Sequence, residues 1–355
     1  MRTPTHILLF AAAKHALANY VIPFLPAPAE NGFHNETLLS WGGGVVAAGG
    51  AFHLFASAFV NNCTLQAWTS NSIAIHAVGA SPLGPFSFVE RALPFYHHNV
   101  QPVVAPDGTF LIFSIGMVPD PTPVRCHAGA GALVPPPPPL SSTHGFESVE
   151  CWSAPSVHGP WSPVSGNVNG RNLFNGTNPS PAFDPSGNGT IYVMSHAGAN
   201  MTVAVASSWR GPYSPAVPVF SHAVGDFVGE DPVLWWDSTL PNSEGSAGAW
   251  RVLWHAYNRS DPAHQFNVGG YAVSAGANIF GEWHVQDPRT APAYTTEFTQ
   301  YVSGAAGPTK TTTFGRRERP KLWRDPSTGA PACLYSGVCP VGSARCFTIA
   351  APIQT

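Results

Sequence analysis

Residues 178–213 read NPSPAFDPSGNGTIYVMSHAGANMTVAVASSWRGPY, and this stretch carries the pattern from which we predict the fold. It begins with an extended polar segment beside prolines and passes through an Asp/Gly-rich turn into an apolar strand. A second strand follows, and a Gly-Pro-aromatic turn ends it. Glycine and proline are typical of turns, and short apolar runs between such turns are typical of β-strands. One stretch of this kind therefore predicts a small antiparallel sheet.

The same pattern recurs along the chain. The Gly-Pro-aromatic turn has three copies and a fourth, degenerate one, which are Leu83-Gly84-Pro85-Phe86, His158-Gly159-Pro160-Trp161, Arg210-Gly211-Pro212-Tyr213 and Phe280-Gly281-Glu282-Trp283. The extended segment with its turn and strand has five copies, at residues 40–60, 98–116, 178–198, 230–258 and 317–338. A repeat of roughly 60 residues has the length of a large propeller blade.

Five similar sheets can bury their faces only against one another, so we expect them to close into a ring around a central channel. Closure also removes the exposed strand edges that would aggregate. The fold class predicted is all-β, a five-bladed β-propeller. The last unit lacks one strand, and we expect the segment 20–26 to pair with it and close the ring. A two-sheet sandwich is the alternative, but it does not explain five units in the same order.

Composition excludes several classes of protein. The 355 residues include 35 glycines and 37 prolines, which argues against a helical bundle, and 44% are hydrophobic, which argues against disorder. The formal net charge of −3 argues against a nucleic-acid partner, which would require a basic face. No apolar run approaches the ~18 residues of a membrane helix, so we expect no membrane partner.

The N-terminus predicts secretion. An apolar run at residues 7–13 follows Arg2, and Ala16-Leu17-Ala18 fits a small-x-small cleavage site, so residues 1–18 are interpreted as a signal peptide. The alternative is a short buried segment. Glycosylation sequons support an extracellular location and stand at Asn35, Asn62, Asn175, Asn188, Asn200 and Asn258. Residues 19–355 are then expected to form one domain, which we expect to be a monomer.

Six cysteines in a secreted chain predict up to three disulfides. They are Cys63, Cys126, Cys151, Cys333, Cys339 and Cys346. Cys126 and Cys151 flank a proline-rich insertion near residues 127–146, and a disulfide between them would staple it. Zinc binding is the alternative, which the absence of any C-x-x-C spacing disfavours.

In a propeller the innermost strand of each blade lines the channel, so the starts of these strands converge at one mouth. The predicted starts are Ser40-Trp41-Gly42, His97-His98-Asn99, Asn178-Pro179, Glu230-Asp231-Pro232 and Arg316-Arg317-Glu318-Arg319-Pro320. Buried charges are costly unless they are paired or used, so this gathering predicts a functional site.

The blade pattern, the A-V-A-S-S-x-x-G-P-Y turn at 204–213 and Glu230 together resemble the five-bladed propeller glycoside hydrolases of the family 43 type, over about residues 36–350. That family includes arabinanases, arabinofuranosidases and β-xylosidases. The resemblance implies inverting hydrolysis by three carboxylates at inner-strand starts, with Glu230 as the general acid. The chain departs from the pattern at Asn178, where the family has Asp, and at Trp41-Gly42-Gly43, where the family's base is missing.

We therefore predict a carbohydrate-active propeller, a glycosidase with Glu230 as general acid and Glu318 as base or nucleophile. Glycosidic cleavage usually requires two carboxyl groups, ~6.5–9.5 Å apart for inversion and ~5–5.5 Å for retention. Asp231 is expected to raise the pKa of Glu230 by like-charge repulsion, while Arg317 and Arg319 keep Glu318 ionised. A purely structural ion-pair role for Glu318 is the alternative.

The remaining polar starts are predicted to bind the carbohydrate substrate. This substrate-binding set comprises Trp41 as a stacking platform and His98, Asn99, Asn178, His255, Arg317 and Arg319 as hydrogen-bonding groups. The sequence carries no metal signature, so we expect no dedicated cofactor or catalytic metal. Binding of a calcium or sodium ion in the channel is the alternative. Two further functions stay open, a catalytically inactive glycan-binding propeller and a protein-interaction scaffold.

Overall fold

The computed structural model describes residues 20–117, 121–126, 133–134, 147–164, 172–241, 247–260 and 267–355. The predicted signal peptide and most of the proline-rich insertion lie outside these residues. Regular structure in the described chain is almost entirely β-strand, with one short helix, α1 (Trp68–Asn71), after a single turn of 3₁₀ helix. No helix in the described ranges is long and apolar enough to cross a membrane.

Five antiparallel sheets follow one another along the chain. Blade 1 contains β1 (Ser40–Ala48), β2 (Ala51–Phe59), β3 (Ser72–Gly79) and β4 (Ser87–Arg91). Blade 2 contains β5 (His98–Val104), β6 (Phe110–Met117), β9 (Glu147–Ala154), β10 (Ser162–Pro163) and β11 (Asn172–Asn175), with the separate hairpin β7 (Arg125–Cys126) and β8 (Leu133–Val134) inserted after β6. Blade 3 contains β12 (Thr177–Phe183), β13 (Ile191–Ala197), β14 (Asn200–Ala206) and β15 (Val217–Ser221).

The last two blades complete the ring. Blade 4 contains β16 (Phe227–Pro241), β17 (Ala247–Asn258), β18 (Val268–Ser274) and β19 (Trp283–Val285). Blade 5 contains β20 (Glu297–Tyr301), β21 (Thr309–Arg324), β22 (Pro331–Pro340) and β23 (Phe347–Pro352). The innermost strands of the blades contact one another in the cyclic order β1, β5, β12, β16, β21 and back to β1. The predicted five-bladed β-propeller is therefore confirmed.

The N-terminal segment closes the ring as predicted. The backbone N–H of Leu25 donates to the carbonyl of Pro352 at 3.0 Å, and Gln354 N–H donates to Pro23 at 2.8 Å. Phe24 thereby forms an antiparallel bridge with Ile353, just beyond β23. The segment occupies the outermost position of blade 5, which joins the two ends of the described chain through main-chain hydrogen bonds.

Apolar clusters fill the spaces between neighbouring blades. Blades 3 and 4, for example, pack Met194 and Val203 against Trp250 and Trp254, all fully buried. Similar clusters lie between blades 1 and 2, 2 and 3, 4 and 5, and 5 and 1. Because both faces of each sheet are covered, the central strands are apolar on both sides. Burial at ~25 cal/mol per Å² of apolar surface makes these interfaces the main source of stability.

The Gly-Pro-aromatic turns have the same structure in three blades. Each glycine has a positive φ of 81° to 87°, which an L-residue with a side chain adopts at a cost. Its N–H donates to the carbonyl of a serine three residues earlier, at 2.9 to 3.1 Å. The residues are Ser81 and Gly84, Ser156 and Gly159, and Ser208 and Gly211. The sequence repeat is thus a repeated turn that leads to the outer strand.

Two disulfides are present, Cys63–Cys126 and Cys339–Cys346. The predicted staple between Cys126 and Cys151 is wrong, because β9 places Cys151 in the core between blades 2 and 3, where it is a free thiol. Cys126 instead joins the hairpin after β6 to blade 1. Disulfides persist in oxidising compartments, which agrees with the predicted extracellular location.

Candidate active site

Every innermost strand is interrupted by a bulge at the same place. The register shifts by one residue where each strand passes the channel axis, and the residue at the bulge has a left-handed backbone. These five axial residues are Gly42 (φ 67°), Asn99 (φ 49°), Asn178 (φ 54°), Asp231 (φ 60°) and Arg319 (φ 57°). Bulges re-aim side chains and recur beside active sites. Here they turn one residue per blade toward the axis.

The axial residues bond to one another across the channel. Asn178 Oδ1 accepts hydrogen bonds from Asn99 Nδ2 at 2.7 Å and from Arg319 Nη1 at 2.5 Å. Asp231 Oδ1 accepts hydrogen bonds from Asn99 Nδ2 at 3.1 Å and from Arg319 Nη1. Gly42 leaves the room for Arg319, since a Cβ on this glycine would lie 2.5 Å from the Arg319 Cβ. All five are buried, so this axial network closes the channel at this level.

Four titratable side chains from blades 4 and 5 meet beside this axial network. Glu230 and His255 are cross-strand partners on β16 and β17, and the His255 Nδ1 lies 3.5 Å from Glu230 Oε1. The same nitrogen is 3.8 Å from Asp231 Oδ2, and the His255 Nε2 is 3.9 Å from Glu318 Oε1. One donor atom from each of these four lies within 4.8 Å of the others. We call this group the mouth cluster.

The members of the mouth cluster differ in how far their side chains are exposed to solvent. The side chain of Glu230 is 28% exposed, whereas those of Glu318, His255 and Asp231 are 6%, 3% and 0% exposed. A substrate that approaches from solvent therefore meets Glu230 first. The two glutamates have oxygens within 4.8 Å of each other, a spacing near that of retaining glycosidases and shorter than that of inverting ones.

The proton of the mouth cluster resides on His255. Burial alone would lower the pKa of His255, but the carboxylates of Glu318, Glu230 and Asp231 raise it to about 9. Burial would raise the pKa of Glu230, but the His255 hydrogen bond and the charges of Arg319 and His255 hold it well below its ordinary value. At neutral pH the pair is an imidazolium beside a carboxylate.

The pKa of Asp231 shifts in the opposite direction from that of Glu230. Burial raises its pKa to about 6, and the carboxylates of Glu230 and Glu318 act in the same direction, while Arg319 opposes them. Burial also lowers the pKa of the fully buried Lys321, two residues after Arg319 on β21, to about 7. The sequence predicted that the pKa of Glu230 would be raised, but its net shift is downward because His255 and Arg319 outweigh the effect of burial.

Comparisons with known proteins give matches to solved structures. A scan of protein-family models and a search of curated proteins found no match. The catalytic domain of a family 62 α-L-arabinofuranosidase from Coprinopsis cinerea superposes with a TM-score of 0.58 at 12% identity, over 96% of this chain and 98% of that chain. The chain shares its fold with glycoside hydrolases.

Two further structures extend this likeness. A thermostable family 43 glycoside hydrolase matches with a TM-score of 0.55 at 9% identity, over 94% of this chain and 96% of that chain. The endo-arabinase from Bacteroides thetaiotaomicron matches with a TM-score of 0.51 at 12% identity, over 95% and 98%. At such low identity the likeness concerns the five-bladed architecture and does not transfer the role of any residue.

Several residues of the predicted substrate-binding set have other positions. Trp41 is 1% exposed and packs beside Phe59 and the Cys339–Cys346 disulfide, so its prediction as a stacking platform is wrong. His98 is fully buried, and its Nδ1 lies 2.7 Å from Ser72 Oγ while its ring stacks on Trp68. Neither ring presents a face to a ligand at the mouth.

The arginines of β21 correct a second prediction. Glu318 pairs with Arg316, whose Nε lies 3.1 Å from Glu318 Oε1, and not with Arg317. Arg317 donates to the backbone carbonyls of Thr295 and Glu297 on the far side of the strand. Alternate strand residues share a face, so residue 316 and not 317 lies beside residue 318. Asn99, Asn178 and Arg319 are taken up by the axial network, and we assign them a positioning role.

Sequence reasoning missed three neighbours of His255. Asn267 Oδ1 lies 2.9 Å from the His255 Nε2 and fixes the ring. Tyr257 stacks on the His255 ring with centroids 5.2 Å apart, and His196 from blade 3 lies close enough to contribute to the charge at Glu230. Asn267 stands just before β18, where no strand-start pattern marks it. Tyr257 was detectable only as the residue two positions after His255 on the same strand face.

The mouth cluster also contains the donor types that a divalent cation prefers. Its three carboxylates supply oxygen ligands suited to a hard cation, and His255 adds a nitrogen. Arg316 and Arg319 already place positive charge against Glu318 and Asp231. The protein's own cations thus provide much of the charge balance that a bound ion would provide.

Proposed function

We propose that the protein is a secreted glycoside hydrolase that acts on a plant- or algal-type polysaccharide or oligosaccharide. The observation that carries this proposal is the partly exposed carboxylate of Glu230 with a second carboxylate, Glu318, within 4.8 Å and a proton-bearing imidazole beside both. The fold shared with arabinan- and arabinofuranoside-cleaving enzymes supports the substrate class.

General acid catalysis by Glu230 requires the proton to move from His255 Nδ1 to Glu230. Exclusion of water by a bound sugar favours this transfer, because it converts two adjacent charges into two neutral groups in a low dielectric. Glu230 then donates the proton to the oxygen of the leaving sugar, and the glycosidic bond breaks. As this bond breaks, a carboxylate oxygen of Glu318 forms a bond to the anomeric carbon, and Glu230 becomes a carboxylate again. A water molecule then attacks the anomeric carbon and releases Glu318, and a proton of this water passes to Glu230 and back to His255.

Glu318 supplies the second carboxylate. Its oxygen lies too near Glu230 for a water and a sugar ring to fit between them as in inverting enzymes, which favours a nucleophile over a base. The Nε of Arg316 lies 3.1 Å from Glu318 Oε1 and holds this side chain in position. We expect no dedicated catalytic metal. Binding of a calcium or sodium ion in the channel is an alternative role for the mouth cluster.

A second candidate function is glycan binding without hydrolysis. The strongly ionised state of Glu230 and the near-complete burial of Glu318 favour it, since a lectin needs neither a proton donor nor a nucleophile. Two assays on the same polysaccharides distinguish the two functions. In the first, purified protein is incubated with arabinan, arabinoxylan and a set of aryl glycosides, and the release of reducing ends and of free aglycone is measured. In the second, affinity electrophoresis in gels that contain the same polysaccharides measures binding. Product release supports hydrolysis, whereas retardation without product supports the lectin.

A further inference from the structure

A histidine-rich cluster lies on the outer part of blade 1, away from the mouth cluster. His53 on β2, His76 on β3 and Glu90 on β4 form a row across three neighbouring strands. His158 reaches the row from the Gly-Pro-aromatic turn of blade 2. His76, Glu90 and His158 each offer a donor atom within 4.8 Å of the other two.

Hydrogen bonds link the members of the row. The Nε2 of His53 lies 3.3 Å from the carbonyl of Ala48, and the Nδ1 of His53 lies 2.8 Å from the Nε2 of His76. Between two imidazoles one nitrogen donates and the other accepts. The tautomer pair in which His76 Nε2–H donates to His53 leaves the Nδ1 of His76 able to bind a cation.

That nitrogen faces a carboxylate. The Nδ1 of His76 lies 3.1 Å from Glu90 Oε1, a spacing that either a shared proton or a bound cation can bridge. His158 Nδ1 lies 4.0 Å from the same oxygen and adds a third donor. Three donors that converge favour a metal ion, because a proton bridges two atoms while a metal ion takes three or more.

Two of the three donor side chains are exposed to solvent. A bulge in the pairing of β3 with β4 inserts Val89 beside the His76–Glu90 pair, and bulges of this kind re-aim side chains. His76 is fully buried, whereas Glu90 and His158 are 42% and 58% exposed. An ion bound here would therefore keep at least one position open to water.

We propose that His76, Glu90 and His158 form a zinc-class divalent metal site that joins blade 1 to blade 2. Two imidazoles and one carboxylate are a common ligand set for Zn²⁺, with ligand bonds of about 2.0–2.2 Å. Ligand atoms on a tetrahedral ion then lie about 3.3 Å apart. The His76–Glu90 pair already has this spacing, and a movement of the exposed His158 ring, whose Nδ1 lies 4.0 Å from Glu90 Oε1, would complete the set.

His53 acts as the outer partner of this site. Metal-bound histidines usually donate their other N–H to a fixed acceptor, which orients the ring, and loss of such a partner typically lowers metal affinity about 10–100-fold. The bond from His76 Nε2 to His53 Nδ1 has this role here. Because the ligands come from two blades, the ion would clamp the interface between them.

Cobalt binding to the full chain tests the site. Protein prepared without a polyhistidine tag and stripped with a chelator is titrated with Co²⁺, whose visible absorption reports coordination geometry, and then with competing Zn²⁺. We expect saturable binding, displaced by Zn²⁺, that weakens at least tenfold in His158→Ala and in Glu90→Gln. The control His34→Ala removes another exposed histidine and should bind as the wild type does.

Thermal unfolding gives a second readout. Zn²⁺ should raise the Tm of wild type and His34→Ala but not that of His158→Ala, since an ion that binds only the folded state stabilises it. Circular dichroism of each variant checks that it is folded. Absence of saturable Co²⁺ binding to the wild type would overturn the proposal. So would binding that stays unchanged in His158→Ala and Glu90→Gln, which would place the ion elsewhere, for example at the mouth cluster.

Discussion

Arg319 on blade 5 crosses the channel directly against Gly42 on blade 1, so closely that a Cβ on the glycine would lie 2.5 Å from the arginine's own Cβ. The guanidinium passes this gap and bonds to Asp231 and Asn178 on two further blades. One side chain therefore ties together blades 3, 4 and 5 beneath the candidate catalytic carboxylates. The arginine side chain fits at the axis because the neighbouring blade 1 has a glycine at this position.

Substitution of Gly42 tests this close approach. Gly42→Ala should destabilise the protein, because alanine is strained at φ 67° and its methyl group collides with Arg319. The control is Gly49→Ala, where φ is 57° but nothing lies within 4 Å of the added methyl. Overpacking of a rigid interior costs about 1–3 kcal/mol, and we expect a difference of this size between the two variants in denaturant unfolding. Equal losses would show that the contact with Arg319 is unimportant.

Removal of the Arg319 charge should be more costly. Arg319→Met leaves Asp231 buried without its cation, and breaking a buried pair typically costs about 3–5 kcal/mol. Arg210→Met is the matched change at an exposed pair, where Arg210 lies 3.3 Å from Asp107, and should cost at most about 1 kcal/mol. The free energy of unfolding of both variants is compared at pH 7. A loss at Arg319 no greater than that at Arg210 contradicts the account of the axial network.

The propeller could be predicted from the sequence, and so could the meeting of Glu230, Asp231, His255 and Glu318. Repetition made this feasible, because five units in one order fix which strands are innermost and which residues start them. Side-chain direction at those starts was not predictable in the same way. Alternation of faces places Arg316 beside Glu318, whereas the prediction chose the adjacent residues Arg317 and Arg319, and the bulge after Glu318 turns Arg319 toward the axis. Burial of Trp41 depends on blade packing, which no local pattern encodes.

The charge state of His255 predicts a particular pH dependence. The pKa of His255 in the folded protein, about 9, is above its ordinary value of 6.5. The group therefore contributes stability that is fully present below pH 6.5 and is lost as pH rises through 9. Wild type should lose stability across this window, and His255→Gln should lose less over the same range. The histidine ring signals in NMR should include one that titrates near pH 9.

A histidine spectrum without such a signal, with His255 titrating near 6.5, would contradict this charge assignment. The proton of the mouth cluster would then have to be carried by another group. Asp231, whose pKa is raised to about 6, is the other member of the cluster with a pKa shifted toward neutral pH. Its complete burial and its bond to Arg319 keep it from contact with a substrate.

The most direct measurement of the central claim is hydrolysis by Glu230→Gln beside wild type and Glu282→Gln. Glu282 is an exposed glutamate next to the outermost strand of the same blade, so its variant controls for the chemical change. Loss of a positioned acid typically lowers a rate about 10²–10⁴-fold. We predict that wild type and Glu282→Gln release sugar from arabinan or arabinoxylan and that Glu230→Gln loses at least a hundredfold in rate. Full activity of Glu230→Gln would contradict the account.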